Sequence, residues 1–190
     1  MACAERVALR SMLIVLAMTA VALSGCASKP ARLSPPVPPD EQLDLTGYVG
    51  KPCTLLAPDR TAARHLSPPG VTVDDTGGSA CRWSTTAPAY PAITAQASVD
   101  RGLELIYQQR ATFSLFQPTE VSHYPAVHTT SGGRAPSSGI CSTRVGVADS
   151  GVLTVTADYG TAKSSFSSDP CPDADKVAFE IISQIRAGNP

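Results

Sequence analysis

Cys26 closes the stretch Leu23-Ser24-Gly25-Cys26, and a cysteine behind small residues has a chemistry open to it that no other side chain there would supply. Its thiolate can be alkylated by a lipid donor, after which cleavage between Gly25 and Cys26 leaves an acylated cysteine as the new N-terminus. What precedes it fits. Arg6 and Arg10 give a basic start and Met12 to Leu23 is an uncharged apolar run, the pattern of an export signal. About twelve residues fall short of the roughly 20 that a helix needs to cross a ~30 Å hydrocarbon core. Residues 1–25 are therefore expected to be a lipoprotein signal peptide. Cys26 is expected to carry palmitate-type acyl chains, each buried methylene of which adds about 0.8 kcal/mol of membrane affinity.

Cys3 leaves with the signal, so Cys53, Cys81, Cys141 and Cys171 remain, an even number in an oxidising compartment, and two disulfides are expected. Three pairings are open. Spacing favours the nearest neighbours, Cys53 with Cys81 and Cys141 with Cys171, each closing a loop worth roughly 3–4 kcal/mol by chain-entropy arguments. Separations of 28, 60 and 30 residues are far from the two-to-four-residue spacing of structural zinc ligands, and no Cys-x-x-Cys occurs, so neither a metal nor thiol exchange is expected. Of the histidines, His123 and His128 are five apart and would point to opposite faces of a regular strand, which argues against a shared metal. A Ser/His/acid site built from His123 with Glu120 or Asp100 stays open beside the plainer reading of surface histidines, because such triads assemble in space. His65 stands apart from both. There is no Gly-x-Ser-x-Gly elbow, phosphate loop or His-Glu-x-x-His. Asp74-Asp75 reads as a turn, and Asp173-x-Asp175 as a helix first turn answering the macrodipole, rather than as calcium ligands.

These residues need a scaffold, and the composition describes it. The formal charge of −1 leaves no basic patch for nucleic acid, and 16% charged residues with 17 prolines suit an extracytoplasmic surface. Residues 26–44 read as the lipidated cysteine and a Pro-rich tether, which at about 3.1 Å per residue would extend ~55 Å. Lys29 and Arg32 lie nearest the anchor, where they are expected to be solvated charges, with weak attraction to anionic head groups as the alternative. Residues 45–190 are long enough for a single domain with a core.

Within that domain Pro58 and Asp59 open a first helix running to Leu66, stopped by Pro68-Pro69-Gly70. Val71–Asp75 and Ala80–Thr86 are strands joined by Gly77-Gly78, with Cys81 and Trp83 on one face and Trp83 over the disulfide. Ile93, Ala95, Ala97 and Val99 alternate with polar residues, a strand with one wet face. From Gly102 to Phe116 the period changes, and Leu103, Ile106, Tyr107, Arg110 and Phe113 predict an amphipathic helix ending before Pro118. Thr119–Thr129 returns to β character and Ser131–Gly139 is a loop. Ile140–Asp149 and Val152–Tyr159 predict a hairpin through Asp149-Ser150-Gly151, with Cys141, Thr143, Val145, Val147 and Leu153, Val155, Ala157, Tyr159 meeting in the core. Asp169 is an N-cap for a last helix to Arg186, whose stripe is Ala174, Val177, Ala178, Ile181 and Ile185. The fold expected is α+β, an antiparallel sheet packed against two to three helices and stapled by two disulfides.

"PCTLL" near a first helix, "CRW" on a strand, "PTEVSHYPAV", "CSTRVGVAD" and "DPC" before a final helix, behind a lipobox and a Pro-rich tether, together resemble the DUF3558 family of actinobacterial lipoproteins. The resemblance runs from about Leu43 to Ile185. The family often has Gly before the Pro-Ala-Val step, where this chain has Tyr124. Kinship implies an extracytoplasmic protein lipid-anchored to the cell membrane, with no biochemical activity to inherit. With no catalytic set in the sequence, the function expected is a non-enzymatic binding domain, without cofactor, whose partner is a small apolar ligand or an envelope protein. An envelope hydrolase using a surface histidine and a passive assembly subunit are the alternatives.

Overall fold

The computed structural model describes residues 31–75, 77–87, 89–130, 138–160 and 169–188. The signal stretch, Cys26, Lys29 and residues 131–137 lie outside them. Among the described residues seven strands form one antiparallel sheet: β1 Val71–Asp75, β2 Gly78–Trp83, β3 Ala92–Ser98, β4 Leu115–Val121, β5 Tyr124–Thr130, β6 Ile140–Gly146 and β7 Val152–Asp158. Their spatial order is β1-β2-β3-β7-β6-β5-β4. Four helices among the described residues accompany it, α1 Thr46–Val49, α2 Pro58–Ala63, α3 Leu103–Gln108 and the long α4 Cys171–Arg186. The α+β class is as expected, with α1 added to the helices foreseen. The Asp44 carboxylate accepts the Thr46 N–H at 2.8 Å and starts it, a local bond that no apolar stripe announces.

The register shows how the faces are divided. Cys81, Ala95, Val155, Thr143 and His128 lie side by side in one row across five strands. Trp83, Ile93, Ala157 and Cys141 lie in the next. The two halves of the 140–159 hairpin are thus neighbours on one face. Onto that face α4 lays Ala174, Val177, Ala178, Ile181 and Ile182, all 0% exposed. The stripe is wider than foreseen, because Ile182 is fully buried and Ile185 only packs at its edge. A Val or Ile buried in this way contributes about 1.5–3 kcal/mol, so packing more than propensity holds the helix.

The favoured pairing of cysteines is the one formed. Cys53–Cys81 and Cys141–Cys171 bridge Cα atoms 4.9 and 5.1 Å apart. The first ties the turn Pro52–Thr54 to β2, the second ties the start of α4 to β6. Trp83 is buried as expected, and a side chain at Gly70 would collide with both it and the Cys81 sulfur.

Three expectations about elements are corrected. The helix from Gly102 to Phe116 stops at Gln108, and after a turn at Arg110–Thr112 the chain is already β4 by Leu115. Pro118 sits inside β4 because β4 is an edge strand, where a missing donor is tolerated. The single β stretch 119–129 is instead a tight hairpin whose turn residues Ser122 and His123 have φ of 54° and 69°. Non-glycine residues seldom adopt those angles, so no Gly or Asn flags the turn. Helix α4 is capped one residue early: Asp169 accepts the Cys171 N–H at 3.0 Å, while Pro170 holds the cap position itself.

The Pro-rich segment is the fourth departure. From Arg32 to Leu45 it is not a free tether but lies along the domain. Leu43 N–H donates to Val147 O at 2.9 Å, the Tyr124 hydroxyl donates to Glu41 O, and Val37 and Leu45 are 6% and 1% exposed. Its prolines, which read as a spacer, stay exposed, and Ser34, Val37 and Leu45 dock the segment that contains them.

Candidate functional site

The other face of the sheet is polar. Across it run Arg82, Thr94, Thr156, Ser142 and Thr129, and beside them Gln96, Thr154 and Arg144. At one end α3 lays Leu103 and Ile106 on Val127 and Val152, with Tyr107, Phe113 and Phe116 alongside. Gly146 makes that possible, since a side chain there would press into Leu103. On the other side the β1–β2 tip folds over, and Gln96 donates its amide to Gly78 O at 2.8 Å.

Arg144 lies between these two covers. Its Nε donates to the Thr129 hydroxyl at 3.0 Å, and its guanidinium lies 5.5 Å from the Phe113 ring centroid, within cation–π range. Burial pulls the guanidinium below its ordinary arginine value, and the charge of Asp75 on β1 partly offsets this. No carboxylate among the described residues forms an ion pair with it. The side chain is half-buried, held by a hydroxyl and an aromatic ring where a carboxylate would be the usual partner. The sequence reading missed Arg144, which alternation assigns to a wet face. The available signal was a charge on the strand "CSTRVGV", between two stretches able to cover it.

On the α4 side the sequence-derived candidates separate. His128 is brought to α4: its Nε2 lies 2.8 and 3.0 Å from the two Asp175 oxygens, and the fully buried Thr143 donates to the same carboxylate at 2.7 Å. Asp175 is therefore in the second turn of α4 and clasps the sheet, where a first-turn charge was foreseen. Asp173 does stand in the first turn, and it accepts the Tyr159 hydroxyl at 2.6 Å. His123 sits at the exposed hairpin tip with Glu120 at 3.5 Å, while Asp100 accepts the Ser98 hydroxyl at 2.8 Å instead of joining them. His65 stacks on Tyr90 with centroids 4.1 Å apart. Asp74 and Asp75 belong to β1, not to the turn. Among the described residues no three His, Cys, Asp or Glu converge as metal ligands.

Beside that clasp opens a groove of about 460 Å³, lined by α2, α4 and the β4–β5 hairpin. Arg60, Arg64, Glu120, Lys176 and Glu180 line it with charge, and Phe179, 53% exposed, is its large apolar side chain. Arg64 is held in a forked pair with Glu180, at 2.8 and 2.7 Å. That fork fixes the α2 side of the groove to α4 and leaves Phe179 outside the core. An exposed aromatic beside a fixed ion pair and a rim of solvent-exposed charges is the anatomy of a protein-contact site.

Among the described residues no helix is long and apolar enough to cross a membrane. A family model described as "Protein of unknown function (DUF3558)" matches residues 21–184. No curated protein and no solved structure matches the chain.

Proposed function

The chain belongs to the DUF3558 family, and from that premise we propose that it is a cell-envelope lipoprotein of an actinobacterium, anchored through Cys26 and displaying a non-catalytic binding domain. The domain engages an envelope protein through the groove beside α4. The observation that carries this reading is Phe179, a large aromatic left half out of the core in a charged groove where Arg64 and Glu180 are already fixed to each other. The alternative of an apolar ligand held between sheet and helix is less well supported, because the α4 residues facing the sheet are all fully buried against its side chains. The hydrolase alternative has His123 at an exposed tip and His128 already committed to Asp175. Within the binding class, Arg144 supports a second reading, a small carboxylate- or phosphate-bearing ligand on the polar face.

A photo-crosslinking residue placed at Phe179 in the full-length protein, expressed in its own host, tests the main reading. The expected result is one discrete protein adduct that the Arg64→Ala exchange diminishes and that the same probe at Thr154, on the polar face, does not give. Identical adducts from both positions, or none from Phe179, would rule the groove out.

A further inference from the structure

We propose that the end of the sheet carrying the β6–β7 turn is a lipid-facing surface, held at the bilayer by a leash too short for the far end of the domain to reach it. The inference rests on the anchor proposed at Cys26. It goes further by saying which surface of the domain meets the membrane.

The argument begins where the bound chain begins. Arg32 pairs with Asp149 in the β6–β7 turn at 2.9 Å. The Leu33 and Ser34 N–H groups and the Ser34 hydroxyl all donate to one oxygen of Glu104 on α3, at 2.9, 2.9 and 3.0 Å. Leu43 then joins Val147, at the other side of the same turn. Three attachments thus fix the entering chain to one end of the sheet. Only Ala27 to Ala31 separate Cys26 from the first of them. Six Cα-to-Cα steps span at most about 22 Å, whatever conformation they take. A domain of this size has a radius of gyration near 15 Å and so a diameter of about 40 Å. A leash half as long as the domain is wide lets the attached end touch the bilayer and keeps the opposite end off it.

The surface at that end suits the position. Leu33 and Val99 are 57% and 38% exposed there, close to the start of α3. The arginines beside them are already neutralised, Arg32 by Asp149 and Arg101 by Asp100 at 3.7 Å. Apolar tips among paired charges can rest at a head-group boundary without bringing an unpaired charge into it. The strand register fixes which end this is, because Ser98 pairs with Val152 while Ala92 pairs with Asp158. The loop holding Ala89, just before β3, is therefore at the far end.

The test uses the full-length acylated protein in vesicles of phosphatidylcholine with a minority of phosphatidylglycerol, carrying nitroxide on the lipid head groups. A fluorophore is attached through Ser150→Cys in the β6–β7 turn or through Ala89→Cys. Quenching several-fold stronger at position 150 than at 89, with the difference collapsing when a Gly/Ser spacer is inserted between Ser28 and Lys29, is the expected result. Equal quenching at both positions in protein whose N-terminal peptide carries the acyl mass overturns the orientation and leaves the anchor standing. An N-terminal peptide without that mass removes the anchor, and the orientation falls with it.

Discussion

The two faces of the sheet are built on opposite rules. Under α4 the face is sealed: Val155, Ala157, Val145 and Leu153 are fully buried against a helix stripe that is itself fully buried, and both disulfides attach on this side. The opposite face carries hydroxyls, an amide and a desolvated guanidinium, and its apolar cover is the patch under α3. The difference teaches that stability resides on one face and that the other can hold polar groups which packing alone would not select.

The largest test of that division is a cavity under α4. Ile181→Ala should lower stability by about 2–5 kcal/mol, read from urea unfolding with the disulfides intact. A loss under about 1 kcal/mol would mean that the sealed face is not where the fold is held. Arg144→Met should change stability by no more than about 1 kcal/mol, because it removes a cation that already suffers desolvation and keeps most of its volume. A loss of about 3 kcal/mol or more would make the polar face structural and erase the contrast.

The smallest effect is on pH. Hydrogen bonds to Glu104, the Ser34 N–H first, hold its carboxyl below the ordinary 4.5. A depressed folded value means that the docking of residues 33 and 34 is intact above pH 4.5 and is lost as pH falls below it through the folded value. Hydrogen exchange at Leu33 and Ser34, corrected for the intrinsic rate, should therefore rise as pH falls from 4.5 through the lowered folded value while the amide of Ile181 stays protected. Simultaneous release of both would show that the strap and the α4 face open together.

Which parts could be read in advance follows from the range of the forces involved. The stripe on α4, the alternation on β3 and the Asp149-Ser150-Gly151 turn are local periodicities or turn signals, so Val177, Ile181, Ala95 and Ala97 fell where their spacing puts them. The β4–β5 hairpin was hidden because Ser122 and His123 take left-handed angles that tertiary pairing imposes. The bound strap was hidden because Val37 is a lone apolar residue among prolines and Leu45 follows a polar stretch, with a partner surface that includes Val147, about a hundred residues later. Of the candidate site, His128 was visible only as a histidine. Its link to Asp175, like the setting of Arg144, is a contact between distant elements that no spacing encodes.

The strand order also has a kinetic consequence. β1-β2-β3 and β4-β5-β6-β7 are each a run of neighbouring strands, and the seam between β3 and β7 joins them. Ser98 and Val152, paired across that seam, enclose a loop whose closure costs roughly 3–4 kcal/mol of chain entropy, against far less for each hairpin. Contact order concentrated in one seam makes the meeting of two preformed meanders the slow event of folding. Each meander carries a partner of one bridge, Cys81 in the first and Cys141 in the second, so oxidation within each half can precede their docking without trapping a crossed pair.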